Sequence, residues 1–305
     1  MNPDRFARLT EIRATHPEAI EHALQERLRR PLLGDSRRLV LVSADQPSRG
    51  LLRAGPDPGA MAARTEFLDR LLAALARPGV DGVIATPDVV EDLALLGALE
   101  GKLVFGSMNR AGLAGSAFET DARFTAYSPE AIRRSRLDGG KMLVRVADLE
   151  RATARTLAAV GDAVERMVAF RLPALIELFA EPTEPERMMR SMAVAAALGG
   201  SSAYSWLQVP VGEGMEDVLE ATTLPCLLTA GELPEPPSVR WERLAALVQV
   251  RGLVLGRRLL YPADGDVGAA IDAAVANLGG PAPEEEAIYR AALELSTEPL
   301  GLRLW

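Results

Sequence analysis

Eight short apolar runs, each followed by a helical stretch, occupy the chain from about residue 38 to 278. The runs are residues 38–43, 82–85, 102–106, 141–146, 174–179, 204–209, 226–229 and 252–255. Each is bounded by glycine, proline or polar residues. That length and that punctuation fit strands buried on both faces. Between and after them lie helical patterns at 63–76, 87–99, 128–136, 148–169, 184–198, 215–221, 238–247 and 266–278. Pro87 with Asp88, and Ser128 with Pro129, are first-turn signals. Eight strand–helix units in one chain predict an α/β protein, a (β/α)8 TIM barrel. The competitor is a doubly wound sheet. It usually has fewer strands and often carries a glycine-rich phosphate loop in its first turn. The first turn here, Ser43-Ala-Asp-Gln-Pro-Ser-Arg-Gly50, has no such loop.

The chain is expected to be a single barrel domain over residues 1–305, since no linker interrupts it. Residues 1–37 read as N-terminal helices, 38–278 as the barrel, and 279–305 as a C-terminal helix at 284–295 with a tail. Residues 300–305, Leu-Gly-Leu-Arg-Leu-Trp, are apolar for a free end and read as docking on the barrel, on another subunit or near the active-site mouth; with such ends to bury, a homo-oligomer is expected.

Composition excludes several partners. The net charge is −8, and basic clusters are short, such as Arg27, Arg29 and Arg30, which read as solvated at a helix end. Nucleic acid is therefore not an expected partner. The longest uninterrupted apolar window, 192–200, is far shorter than a membrane span, so no membrane is expected. The charged N-terminus lacks a signal-peptide core. Cys226 is the single cysteine, reads as a buried small residue, and allows no intrachain disulfide. These features predict a cytoplasmic protein. His16 and His22 are the two histidines and lie on different helix faces, so zinc is not expected. A carboxylate-held magnesium stays open, but no metal or cofactor is expected.

Functional groups in this fold gather at the C-terminal strand ends. Read in order, those ends carry Asp45, Gln46 and Arg49, then Asn109 and Arg110 in a glycine-rich loop, then Lys141, Glu177, Gln208, Gly231, Gly256 and Arg257. Lys141 is the most informative. Only Lys102 and Lys141 are lysines among 34 basic residues, and Lys102 opens a strand at the opposite face, where it reads as a surface charge. A lysine inside a barrel must have its charge compensated or its pKa lowered by desolvation. A neutral lysine amine is what carbonyl chemistry through a Schiff base uses, and arginine cannot do it. Asp45 and Glu177 are candidate proton-transfer groups or structural ion-pair partners. Gly231, Gly256 and Arg257 are candidates for phosphate, which this fold often holds after its last two strands. Gln46, Arg49, Asn109 and Gln208 are further candidates for substrate contact. Tyr204 and Trp206 either line the pocket or pack the core.

Together, Asp45-Gln46, Gly-Gly-Lys141, Leu-Pro-Ala-Leu-Ile-Glu177, Ala-Gly231 and Gly256-Arg257 resemble the class I aldolases, in the branch of tagatose-bisphosphate and deoxyribose-phosphate aldolases. The stretches 106–115, 124–127, 202–210 and 251–266 resemble an actinobacterial subgroup associated with inositol breakdown. The resemblance covers residues 38–278. It implies an enzyme that cleaves or forms a carbon–carbon bond in a phosphorylated keto sugar or keto acid. It also places the imine-forming lysine on the sixth strand, where the aligned residue is Gln208. Transaldolases of the same superfamily place theirs on the fourth strand, as Lys141 is placed. Three readings therefore stand: an aldolase-like lyase using Lys141; an isomerase or dehydratase using Asp45 and Glu177 without an imine; or a non-catalytic sugar-phosphate binder.

Overall fold

The computed structural model describes residues 3–109, 112–116, 119, 121–146, 151–179, 184–232 and 239–279. Eight parallel strands close into a barrel in sequence order: β1 (Leu39–Ser43), β2 (Gly82–Ala85), β3 (Leu103–Ser107), β4 (Gly139–Val144), β5 (Ala174–Leu178), β6 (Ser205–Pro210), β7 (Cys226–Ala230) and β8 (Val250–Leu255). β8 pairs back on β1, from Leu39↔Gly252 to Val42↔Leu255. The chain is a (β/α)8 TIM barrel. Two strands begin two residues earlier than the apolar runs suggest. At β4 the reason is visible. A Cβ on Gly139 would lie 2.4 Å from the Phe105 ring, so glycine there lets Phe105 fill the barrel axis.

The helices are α1 (Pro3–Thr15), α2 (Glu18–Glu26), α3 (Arg64–Leu75), α4 (Pro87–Leu95), α5 (Pro129–Arg134), α6 (Arg151–Ala169), α7 (Pro185–Ala196), α8 (Met215–Glu220), α9 (Trp241–Ala245), α10 (Arg257–Leu260) and α11 (Val267–Ala276). Ser128 Oγ caps α5 by accepting from Ala131 N at 3.1 Å, and Asp266 Oδ1 caps α11 by accepting from Ala269 N at 2.9 Å. The expected C-terminal helix at 284–295 and the tail lie outside the described residues. Among the described residues, no helix is long and apolar enough to cross a membrane.

Strand periodicity sorts the core into two shells. Leu39, Leu41, Ile84, Phe105, Leu175 and Val254 belong to the cluster inside the barrel. Alternate residues such as Val40, Val42, Val104, Met142 and Ile176 pack outward against the helices. Leu32 packs on the inner cluster from below, so the segment after α2 closes the N-terminal end.

This closure corrects the reading of Arg27 as solvated, while Arg29 stays exposed and Arg30 is half-buried, each ion-paired. Arg27 is 3% exposed and donates to Asp138 Oδ2 at 2.7 Å and to the carbonyls of Lys102 and Arg136. Arg29 donates to Asp138 Oδ1 at 2.9 Å, and Arg30 pairs with Asp81. Asp81 and Asp138 also accept backbone N–H groups from Val40 and Val104, at 2.8 and 2.9 Å. Lys102 is half-buried rather than a free surface charge, with Nζ donating to Val80 O at 2.6 Å.

At the same end, Gly252 has φ 144°, and a Cβ there would stand 1.8 Å from Leu39 O. Gly252→Ala is expected to cost about 3 kcal/mol, because backbone cannot yield as a side chain does. Urea unfolding checks this: a midpoint equal to wild type would show that the β1–β8 seam can open without cost.

Candidate active site

Inward-facing positions change character along the strands. Near the N-terminal ends they are Leu, Ile, Phe and Val; towards the C-terminal ends they become Ser43, Ser107, Lys141, Glu177, Gln208 and Thr229. The register accounts for much of this. Ser107 is paired with Lys141, and Glu177 with Gln208, across adjacent strands.

Lys141 is 3% exposed, with its ammonium between two carboxylates. Nζ donates to Asp45 Oδ2 at 2.8 Å and pairs with Glu177 Oε2. Burial alone would lower the Lys141 pKa, but the charges of Asp45 and Glu177 and their hydrogen bonds outweigh it and raise it above the ordinary value. Of the two outcomes open for a barrel lysine, compensation holds. Asp45 is buried too, which favours its neutral acid. The charge and hydrogen bond of Lys141, the Ser107 hydroxyl at 2.8 Å and the charge of Arg49 reverse that and lower its pKa. Ser43 Oγ adds a donor to Asp45 Oδ1 at 3.2 Å. Asp45 is thus fixed by three partners. Glu177 has a more exposed side chain, 18% against 8% for Asp45, and accepts from Gln208 Nε2 at 3.1 Å.

Gln208 reaches Thr229 Oγ1 as well, at 3.2 Å. Its carbonyl Oε1, and that of Gln46, are buried without a hydrogen-bond partner among the described residues. Each is an acceptor left for a ligand hydroxyl or water.

Gln46 links this cluster to the ends of β7 and β8. Its Nε2 donates to Ser43 Oγ at 3.1 Å and to Glu232 Oε2 at 3.2 Å. Glu232 Oε2 also accepts from Arg257 N at 3.2 Å, and Oε1 lies 3.3 Å from the Arg257 guanidinium. Gly231, at φ 68°, turns the chain so that Glu232 points back over Gly256. A Cβ on Gly256 would stand 2.6 Å from Glu232 N. Gly231, Gly256 and Arg257 therefore sit together as the sequence suggests, but with a carboxylate among them. Burial raises the Glu232 pKa despite Arg257.

After β4 and β5, Arg145 stacks on Phe179 at 4.1 Å from the ring centre and pairs with Glu119 at 3.8 Å, and Arg49, from the segment after β1, reaches the same ring at 4.9 Å. Asn109 is 4% exposed and turned to backbone. It donates to Leu143 O at 2.9 Å and Ala122 O at 3.2 Å, and accepts from Leu143 N at 2.7 Å. Its amide ties the loop after β3 to β4. Arg110 lies outside the described residues. Trp206 packs on the inner cluster two residues before Gln208, and Tyr204 precedes β6, so neither is at the mouth. Burial pushes the Cys226 thiol up to about 12, fitting a packed residue rather than a nucleophile.

Sequence reasoning gives no role to Glu232, Ser43, Ser107, Thr229, Arg145 or Phe179, although Arg145, Thr229 and Glu232 stand at strand ends. Glu232 had one signal, a carboxylate directly after the Ala-Gly that ends β7. Among the described residues, no group of three or more His, Cys, Asp or Glu could hold a metal ion. A cavity of about 550 Å³, lined in part by Tyr127, Arg155 and Arg166, lies against α5 and α6 outside the barrel and shares no residue with the mouth.

A model of the Cgl0159-like family matches residues 37–275. The crystal structure of Cgl0159 from Corynebacterium glutamicum is 42% identical, with 91% of this chain and 98% of that one covered, at a TM-score of 0.86. An archaeal fructose 1,6-bisphosphate aldolase is 12% identical over 85% of this chain and 98% of its own, at 0.59. An archaeal fructose-1,6-bisphosphate aldolase with its catalytic lysine bound to the carbinolamine intermediate is 14% identical over 85% and 99%, at 0.58. At such identities the likeness to aldolases is one of fold. No curated protein matches the chain.

Proposed function

The chain belongs to the Cgl0159-like family, and from the geometry of its barrel mouth we propose that it is an aldolase-like lyase working through a Schiff base on Lys141. The observation that carries this reading is a buried lysine between two carboxylates at the C-terminal end of the barrel. The substrate class is a phosphorylated keto sugar or keto acid, with the inositol-derived keto acids first to try. On this reading Gln208 stands where the resemblance puts the imine-forming lysine, and the amine has moved to β4.

The resting ammonium is not a nucleophile, so its proton must leave first. Glu177, the more exposed carboxylate, takes it as the carbonyl carbon arrives. The amine then adds, and the carbinolamine forms. Protonated Glu177 returns the proton to the departing hydroxyl, water leaves, and the iminium remains. The iminium carries the positive charge that the ammonium carried. Asp45, held by Ser107 and Ser43, is therefore aligned for it without rearrangement. In the cleavage step Glu177 accepts the proton of the substrate hydroxyl, the carbon–carbon bond breaks, and its electrons enter the enamine. Gln208 keeps Glu177 oriented. Arg49 and Arg145 supply positive charge for the anionic group of the substrate.

Reductive trapping tests this reading. Protein incubated with a keto substrate and borohydride should gain the reduced adduct mass on the peptide holding Lys141. A saturated, unmodified protein would sink the Schiff base. The raised Lys141 pKa favours one other reading, in which the ammonium polarises a substrate carbonyl and Glu177 performs enolisation. That reading predicts turnover with no trapping.

A further inference from the structure

The loops after β7 and β8 are where this fold commonly places phosphate. In this chain a carboxylate already stands among the donors there. Glu232 accepts the Arg257 backbone N–H and the Gln46 amide, both at 3.2 Å, and pairs with the Arg257 guanidinium at 3.3 Å. The arrangement is held from below. Gly256 leaves room for the Glu232 backbone, and Arg258 N donates to Gly231 O at 2.9 Å, which fastens the turn carrying Glu232. The carboxylate stays reachable, with 26% of its side chain exposed.

We propose that Glu232 is a built-in anion that sets specificity here: it turns phosphate away from the β7–β8 end of the pocket and accepts an uncharged, hydroxyl-bearing end of the substrate. A phosphate approaching Arg257 must displace a tethered carboxylate or face its charge, with Glu177 adding repulsion from the same mouth. A hydroxyl group meets no such opposition. It can donate to a free lone pair of Glu232 and accept from nothing that is lost. The anionic group of the substrate is then left to Arg49, whose guanidinium lies 4.9 Å from the Phe179 ring centre. The inference rests on the lyase reading only for where the substrate lies, and its test requires no turnover, so the two can fail separately.

The test is calorimetric titration of the full chain with inorganic phosphate. Glu232→Ala should bind phosphate at least about tenfold more tightly than wild type, because a like charge leaves and the guanidinium is freed. Glu232→Gln, which keeps the shape and the packing, should show a smaller gain in the same direction. Adding Arg257→Ala to either variant should erase the gain. Wild type binding phosphate as tightly as Glu232→Gln would overturn the proposal. So would a Glu232→Ala protein with a native circular dichroism spectrum and no gain, or a gain that survives loss of Arg257.

Discussion

Lys141→Met should lower turnover by at least about three orders of magnitude, the scale of removing a nucleophile that works as part of a unit. It should also lower stability by about 3–5 kcal/mol near pH 8, since breaking a buried ion pair strands its partners. Methionine fits the space but leaves Asp45 and Glu177 facing each other without their cation. The pH dependence tells this loss from a packing defect. In wild type the folded Asp45 pKa is lowered, so its contribution is present above its unfolded value of about 4 and fades as pH falls through the folded one. The folded Lys141 pKa is raised, so its contribution is full below about pH 10 and fades as pH rises through the folded value. Between those limits the wild-type contribution is flat. In the variant Asp45 keeps its burial and loses its main counter-charge. Its pKa therefore moves up, and folding must then either bury a bare charge or take up a proton. The deficit should be smaller near pH 4 and widen towards pH 8. Asp45→Asn placed on Lys141→Met should recover part of it, a coupling that a double-mutant cycle isolates. A deficit equal at both pH values would mean that the lysine acts by packing alone.

The barrel was legible because each strand is a short apolar run with its own punctuation, and eight such units admit few architectures. The centre of the site was legible for the opposite reason. Lys141 and Glu177 are charges inside apolar runs, where only a partner can keep them. What stayed hidden has no such contrast. Ser43, Ser107 and Thr229 are small polar residues of a kind found in any strand, and their role appears only when the register brings them to Asp45 and Gln208. Glu232 reads as one more loop carboxylate until the turn at Gly231 aims it at Arg257. Asn109 misled in the other direction. Its place in a glycine-rich loop suggests ligand contact, yet its amide is occupied by the backbone of β4 and its own loop.

The early arginines show the same limit at the other end of the barrel, and they carry the second large expectation. Asp138→Ala should destabilise the protein by at least about 4 kcal/mol, lowering the melting midpoint by roughly 8 °C or more for a chain of this size. Asp138 is 6% exposed and stands before β4. It accepts from Arg27 and Arg29, which are 111 and 109 residues away in sequence, a pairing that no local pattern reveals. Its loss leaves Arg27, whose side chain is 1% exposed, without this anion, and leaves Val104 N–H without its acceptor. Each deficit costs on the order of 1–5 kcal/mol, and they overlap because they share one carboxylate. Asp138→Asn should cost less, since an amide oxygen can still accept from Val104. The lost contacts lie at the N-terminal end of the barrel, whereas the Lys141 ammonium, three residues further along β4, reaches the carboxylates of the C-terminal mouth. Borohydride trapping per folded molecule should therefore match wild type at a temperature where both are folded. A melting midpoint within a degree or two of wild type would show that residues 27–32 rest on the barrel without bracing it. Lost trapping in a folded Asp138→Ala protein would show that the two ends are not independent.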